Sequence, residues 1–95
     1  MAVRITCINK DNGNHNNPHE AITDFGWVNE STGASGKSTR NQMVNFLDNQ
    51  NGRAYVKNGQ NIAYCYTRQG RNGRFVQTYA DNTPTDNLLQ LRECT

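Results

Sequence analysis

The sequence predicts an α+β fold, a single domain over residues 1–95 with an antiparallel sheet of four or five strands and one helix on one of its faces. Three observations carry that expectation. Two Asn-Gly pairs, Asn58-Gly59 and Asn72-Gly73, separate three β-type runs, and Asn-Gly tolerates the positive φ that tight hairpin turns demand. Thr39 and Gln42 have the spacing of a helix capping box. Behind that box Met43, Val44, Phe46 and Leu47 form one apolar stripe at a period of 3.6 residues.

The elements follow in order along the chain. Residues 3–8, "VRITCI", are rich in β-branched side chains and predict a first strand. The stretch "NKDNGNHNNPH" is a polar loop with turn signals throughout. Ile22, Phe25, Trp27 and Val28 resume the apolar signal, which predicts a second strand at 22–29 with a kink or bulge at Gly26. The helix spans about 39–50, with Gly52 placed for a left-handed cap. Strands at 53–57, 60–68 and 74–80 form a three-stranded meander. Near the end Leu88, Leu89 and Leu91 dock on an edge of the core as a short strand or single turn.

Composition narrows the class. In 95 residues, 34% of them apolar, there is room for one core, and such a chain buries roughly 60–65% of its unfolded surface. No run approaches the ~20 apolar residues of a membrane span, and the opening apolar run is too short for a secretory leader, so a cytoplasmic protein is expected. Cys7, Cys65 and Cys94 are odd in number, widely spaced and without a C-x-x-C pair, which suits reduced thiols; the alternative is one disulfide with a spare thiol.

Net charge is +2, unevenly distributed. From Lys37 to Tyr79 there are seven cations against Asp48 alone, while residues 1–36 and 80–95 each carry a net −2. Either the acidic ends fold back onto a basic middle, or the middle offers a basic face to an anionic partner.

The turns also set register, hence faces. Pairing outward from Asn58-Gly59 sets Lys57 opposite Gln60 and Tyr55 opposite Ile62. Pairing from Asn72-Gly73 sets Tyr66 opposite Tyr79 and Thr67 opposite Thr78. One face then holds Arg53, Tyr55, Lys57, Ile62, Tyr64, Tyr66, Arg68, Phe75, Gln77 and Tyr79, with Arg71 and Arg74 nearby. The other holds small apolar residues suited to the helix. Rings interleaved with cations are what single-stranded nucleic acid uses, stacking for bases and charge for phosphates. Tyrosine and arginine are equally the anchors of protein interfaces, a homodimer included. The bland alternative covers this face with Trp27, Phe25 and the first strand as half of the core.

No motif names a reaction. "STGASGKST" ends like a phosphate-binding loop, but that loop needs Gly-x-x-x-x-Gly-Lys, and Ser31 stands where its first glycine belongs. The stretch instead leads to the helix cap at Thr39. His15 and His19 have the i, i+4 spacing of metal ligands, yet Pro18 between them breaks the helix that would align them; a small metal-dependent or catalytic domain centred on His19 is the runner-up to a non-enzymatic binding module. No cofactor is expected. Cys7 and Cys65 lie mid-strand, where a thiol is usually a small core residue.

"RITCINK", "HEAI" at 19–22, "GW" at 26–27, "KSTR", "AYV" at 54–56 and the ending "FVQTYADNTPTDNLLQLREC" together resemble a widespread family of small bacterial domains of unknown function. Two departures are Asn82 where that family has Gly and Arg92 where it has Pro. The resemblance implies a fold and no mechanism, and it singles out His19 and residues 81–91, whose Asp81, Asp86 and Asn87 are expected to shape turns.

Overall fold

A computed structural model describes residues 2–11, 18–58, 61–70, 73–80, 83–85 and 88–94. Strand β1 (Ala2–Lys10) is followed by a 3-10 turn (Pro18–Ala21) and by β2 (Ile22–Val28) and β3 (Ser35–Thr39). Helix α1 (Arg40–Asn49) then leads to β4 (Arg53–Asn58), β5 (Asn61–Gly70), β6 (Gly73–Ala80) and the three-residue β7 (Thr83–Thr85), and a second 3-10 turn, Leu88–Gln90, follows. The strands form one sheet in the order β3-β2-β1-β4-β5-β6-β7.

The sheet is larger than expected and mixed. It has six full strands plus β7, and β1 pairs with β4 in parallel, Val3 against Ala54 and Arg4 against Tyr55. Parallel neighbours need a crossover, and here β2, β3 and α1 supply it. The strand that the sequence does not announce is β3, "SGKST". It has no apolar alternation, is exposed over most of its length, and is held as a strand only by its pairing with β2. Residues 35–39 are therefore not a lead-in loop, although Thr39 does cap α1: its hydroxyl accepts from the Gln42 N–H at 3.2 Å while Gln42 Oε1 accepts from the Thr39 N–H at 2.9 Å.

Met43 sits at the centre of the core, 2% exposed, among Val3, Ile5, Ile22, Phe25, Val56 and Val76, with Val44, Phe46 and Leu47 packed against it. Burying one such side chain contributes about 1.5–3 kcal/mol, enough to choose which face the helix covers. The helix ends differently from expectation. Asn51, not Gly52, takes the left-handed conformation, at φ 55°. Gly52 is required for a second reason: a Cβ there would lie 2.3 Å from Phe46 Cζ.

The expected kink at Gly26 is likewise relocated. Ile5 pairs with Trp27 and Cys7 with Gly26, so the extra residue, Thr6, lies on β1. Gly26 lacks a side chain because one would meet Cys7 Sγ at 2.2 Å. Cys7 is bonded to Cys94, so of the two cysteine expectations the disulfide with a spare thiol is the one realised. Cys7 and Cys94 are thus not the reduced thiols that the spacing suggests. The bond ties the C-terminal segment to β1, where Ile8 donates to the Arg92 carbonyl and accepts from the Cys94 N–H, both at 3.0 Å. Among the described residues, no helix is long and apolar enough to cross a membrane.

Two outcomes follow for stability. Gly52→Ala should cost about 1–3 kcal/mol by driving a methyl into the Phe46 ring, read as a lowered denaturant midpoint with an unchanged slope. Cys7→Ser opens a covalent loop with a sequence separation of 87 and should cost about 4–5 kcal/mol on chain-entropy grounds. Reductant should then lower the denaturation midpoint of the parent protein but not of the variant.

Candidate binding face

The meander forms as the turns require, but both registers are displaced by two residues. Asn58 pairs with Asn61, Lys57 with Ile62 and Tyr55 with Tyr64; Gly70 pairs with Gly73, Cys65 with Thr78 and Tyr64 with Tyr79. The pairs that end each hairpin are therefore Asn58 with Asn61 and Gly70 with Gly73, and Gly59 and Asn72 of the two Asn-Gly pairs lie outside the described residues. Gly73 spends its positive φ of 115° within the strand pair opposite Gly70. A displacement of two keeps parity, so every side chain stays on its expected face.

Tyr55, Tyr64, Tyr66, Tyr79, Lys57 and Arg68 accordingly share one side of the sheet with Arg53. Tyr55 and Tyr64 meet at 6.3 Å, tilted by 58°, and Tyr66 meets Tyr79 edge-on at 5.4 Å. The face is open over β4 and β5, where Ile62, Tyr64 and Tyr66 are 44%, 45% and 54% exposed. It is closed over β6, where Phe75 and Gln77 are buried. The first 3-10 turn lies against that end: Glu20 Oε1 and the Phe75 ring both stand 2.8 Å from where a Gly70 Cβ would be. Trp27 and Phe25 do not provide this cover, because they pack into the core on the helix side. Half of the face is therefore core and half is free.

The cations divide in the same way. Arg53, Lys57 and Arg68 are exposed, and among the described residues none of them forms an ion pair; Arg68 donates to Gln77 Oε1 at 3.0 Å. Arg74 belongs to the opposite side, sharing its alternation with Val76 and Thr78. Its guanidinium pairs with Asp48 of α1 at 2.8 Å and donates to the Thr67 hydroxyl, which in turn donates to Asp48. Arg74 thus fastens the helix and leaves the face. Arg71 and His15 lie outside the described residues, as do Asp81, Asn82, Asp86 and Asn87 of the C-terminal motif.

Two further residues join the face without having been expected there. Arg4 stands on β1 opposite Tyr55, and Glu30 follows β2. Tyr55 donates to Glu30 Oε1, and Arg4 lies 3.8 Å from Glu30 Oε2. The Tyr55 hydroxyl, then the charges of Lys57 and Arg4, hold the Glu30 carboxyl below the usual carboxylate range. The same hydrogen bond, with partial burial, raises Tyr55 above the ordinary 10.0. No turn or spacing encodes a parallel neighbour, so no sequence signal pointed to either residue.

Where β4 and β5 part below the Tyr55–Tyr64 pair, a cleft of 480 Å³ opens toward the end of α1, lined by Asp48, Arg53, Cys65 and Thr67 among others. Burial pushes the Cys65 thiol up to about 12, which keeps it protonated and non-nucleophilic at neutral pH. His19 is buried in the first 3-10 turn, 2% exposed. Among the described residues no group of three His, Cys, Asp or Glu is arranged to hold a metal ion.

A family described as a protein of unknown function, DUF3892, matches residues 4–92. The chain belongs to that family. Its span takes in the whole of the open face, from Arg4 through Tyr79, so the tyrosines and cations are part of the DUF3892 domain itself. No curated protein and no solved structure matches the chain.

The Glu30–Tyr55 bond has a spectroscopic signature. Glu30→Gln removes the carboxylate that disfavours the phenolate, so Tyr55 should ionise at lower pH than in the parent protein. Ultraviolet titration of the tyrosines should show an alkaline step move toward 10.0.

Proposed function

We propose that this domain is a non-enzymatic binding module that holds single-stranded nucleic acid on the open half of its tyrosine face. The observation that carries the reading is the exposure of Tyr64 and Tyr66 at alternate positions of β5, flanked by exposed cations on β4 and β5. Alternate residues of a strand are about 6.6–6.8 Å apart and point the same way, so two rings offer successive stacking platforms. Arg53, Lys57 and Arg68 border them with positive charge, and of the three Lys57 also acts on the Glu30 carboxylate beside Tyr55. Stacking on such rings tolerates any base, because every base has a π-face. The reading is accordingly one of low sequence specificity and strong salt dependence.

A protein partner would use the same anchors, but three cations bordering an open strip suit a polyanion better than a neutral surface. Phe75 and Gln77 are already covered, which confines the binding strip to β4 and β5.

Fluorescence anisotropy with a labelled twelve-nucleotide oligothymidylate tests the proposal. Tyr64→Ala and Tyr66→Ala should each weaken binding by about five- to hundredfold, the equivalent of roughly 1–3 kcal/mol per stacked base. Lys57→Glu with Arg68→Glu should flatten the dependence of log affinity on log salt by about 0.7 for each phosphate that is no longer neutralised. Arg74→Gln, on the helix side, should leave the salt slope unchanged. Absence of salt-dependent binding by the parent protein sinks the reading and leaves the face to a protein partner.

A further inference from the structure

The two ends of the sheet are unlike. At one end β7 is three residues long and centred on Pro84, which has no N–H to offer, a common way of blunting an edge. At the other end β3 is five residues long and carries no proline, and its inner side is paired with Asp24–Val28 of β2. Every second backbone N–H and C=O of an edge strand points outward without a strand partner. Beside this edge, between β3 and α1, lies a hollow of 340 Å³ walled by Trp27, Ser38, Met43 and Phe46.

The local sequence sets an aromatic ring at that edge. Trp27 stands opposite Gly36, and its ring lies over the glycine so closely that a Cβ there would be 2.7 Å from Cζ2. The indole N–H donates to Ser38 Oγ at 3.0 Å, which holds the ring in place. Because Gly36 has no side chain, the Trp27 ring occupies the space above it, and a strand laid beside β3 meets the indole at that position. Lys37 falls in the opposite alternation, is exposed, and among the described residues has no ion pair.

We propose that β3 is a docking strand for an extended peptide of another protein, which adds antiparallel as an eighth strand between β3 and solvent. Main-chain hydrogen bonds supply the affinity, and alternate side chains supply the selectivity. The residue opposite Gly36 is apolar and packs against the Trp27 ring. The residue opposite Lys37 is acidic. A second copy of this chain is the poorer occupant, because two β3 strands related by a two-fold axis through Lys37 oppose like charges. The surface is separate from the tyrosine face, so either proposal stands or falls alone.

The probe is acetyl-Thr-Val-Glu-Leu-Thr-amide, which in antiparallel register sets Glu against Lys37 and Leu against Gly36. Binding is read from the fluorescence of Trp27, the chain's single tryptophan. The peptide should shift that emission saturably. Replacing its Glu by Lys should weaken binding about three- to tenfold, the range of an opposed cross-strand pair, and Lys37→Glu should reverse the preference between the two peptides. N-methylation at every second residue, made in each of the two phases, should weaken binding about tenfold or more in one phase only, since only one set of N–H groups faces β3. Equal effects in both phases, no preference between the Glu and Lys peptides, or no saturable shift would each overturn the proposal. So would a dimer in sedimentation whose formation changes with Lys37→Glu, which would make the occupant a second copy.

Discussion

The docking of a single helix stripe on the sheet is the constraint from which the remaining architecture follows. Met43 and its neighbours can be buried only if α1 runs back across the sheet from the end of β3, and the chain then emerges beside β1, not beside β3. That return makes β4 parallel to β1. It places Tyr55 next to Arg4, brings Glu30 within reach of both, and leaves β3 alone at the outer edge. The aromatic face and the open edge are thus two consequences of one packing event.

Polar contacts refine what the apolar stripe decides. Arg74, Asp48 and Thr67 form a closed set that fixes the last turn of α1 over β5 and β6. The set is half exposed, so its contribution is geometric more than energetic. The disulfide does comparable work at the other end, holding residues 92–94 along the part of β1 that β4 does not reach. Between these ties the sheet presents one strip without cover, at β4 and β5, and a covered strip at β6. Free and buried tyrosine-face residues lie side by side, the first 3-10 turn standing against the end of the face at Gly70 and Phe75.

Three of the close approaches that rest on glycine have nothing to do with turn chemistry. Gly26 makes room for the disulfide, Gly36 for the Trp27 ring and Gly52 for the Phe46 ring. In each case a large or bonded side chain from another part of the chain occupies the space a Cβ would take. Such positions read as ambiguous punctuation in a sequence, since the partner that needs the space is distant or on another strand.

What the sequence determined by itself is whatever depends on neighbours along the chain: the capping box at Thr39 and Gln42, the helix stripe, the three strands of the meander, and the division of their side chains between two faces. That division survived a two-residue error in both registers because strand alternation has a period of two. Only the tertiary structure decided the rest. β3 is a strand because β2 is there to pair with it. Arg4 and Glu30 join the tyrosines because a crossover brings β1 alongside β4, Arg74 leaves them because Asp48 lies across the sheet, and Cys7 finds Cys94 from the far end of the chain. Local chemistry specifies which way a side chain points, whereas what it then meets is set by burial summed over the whole molecule.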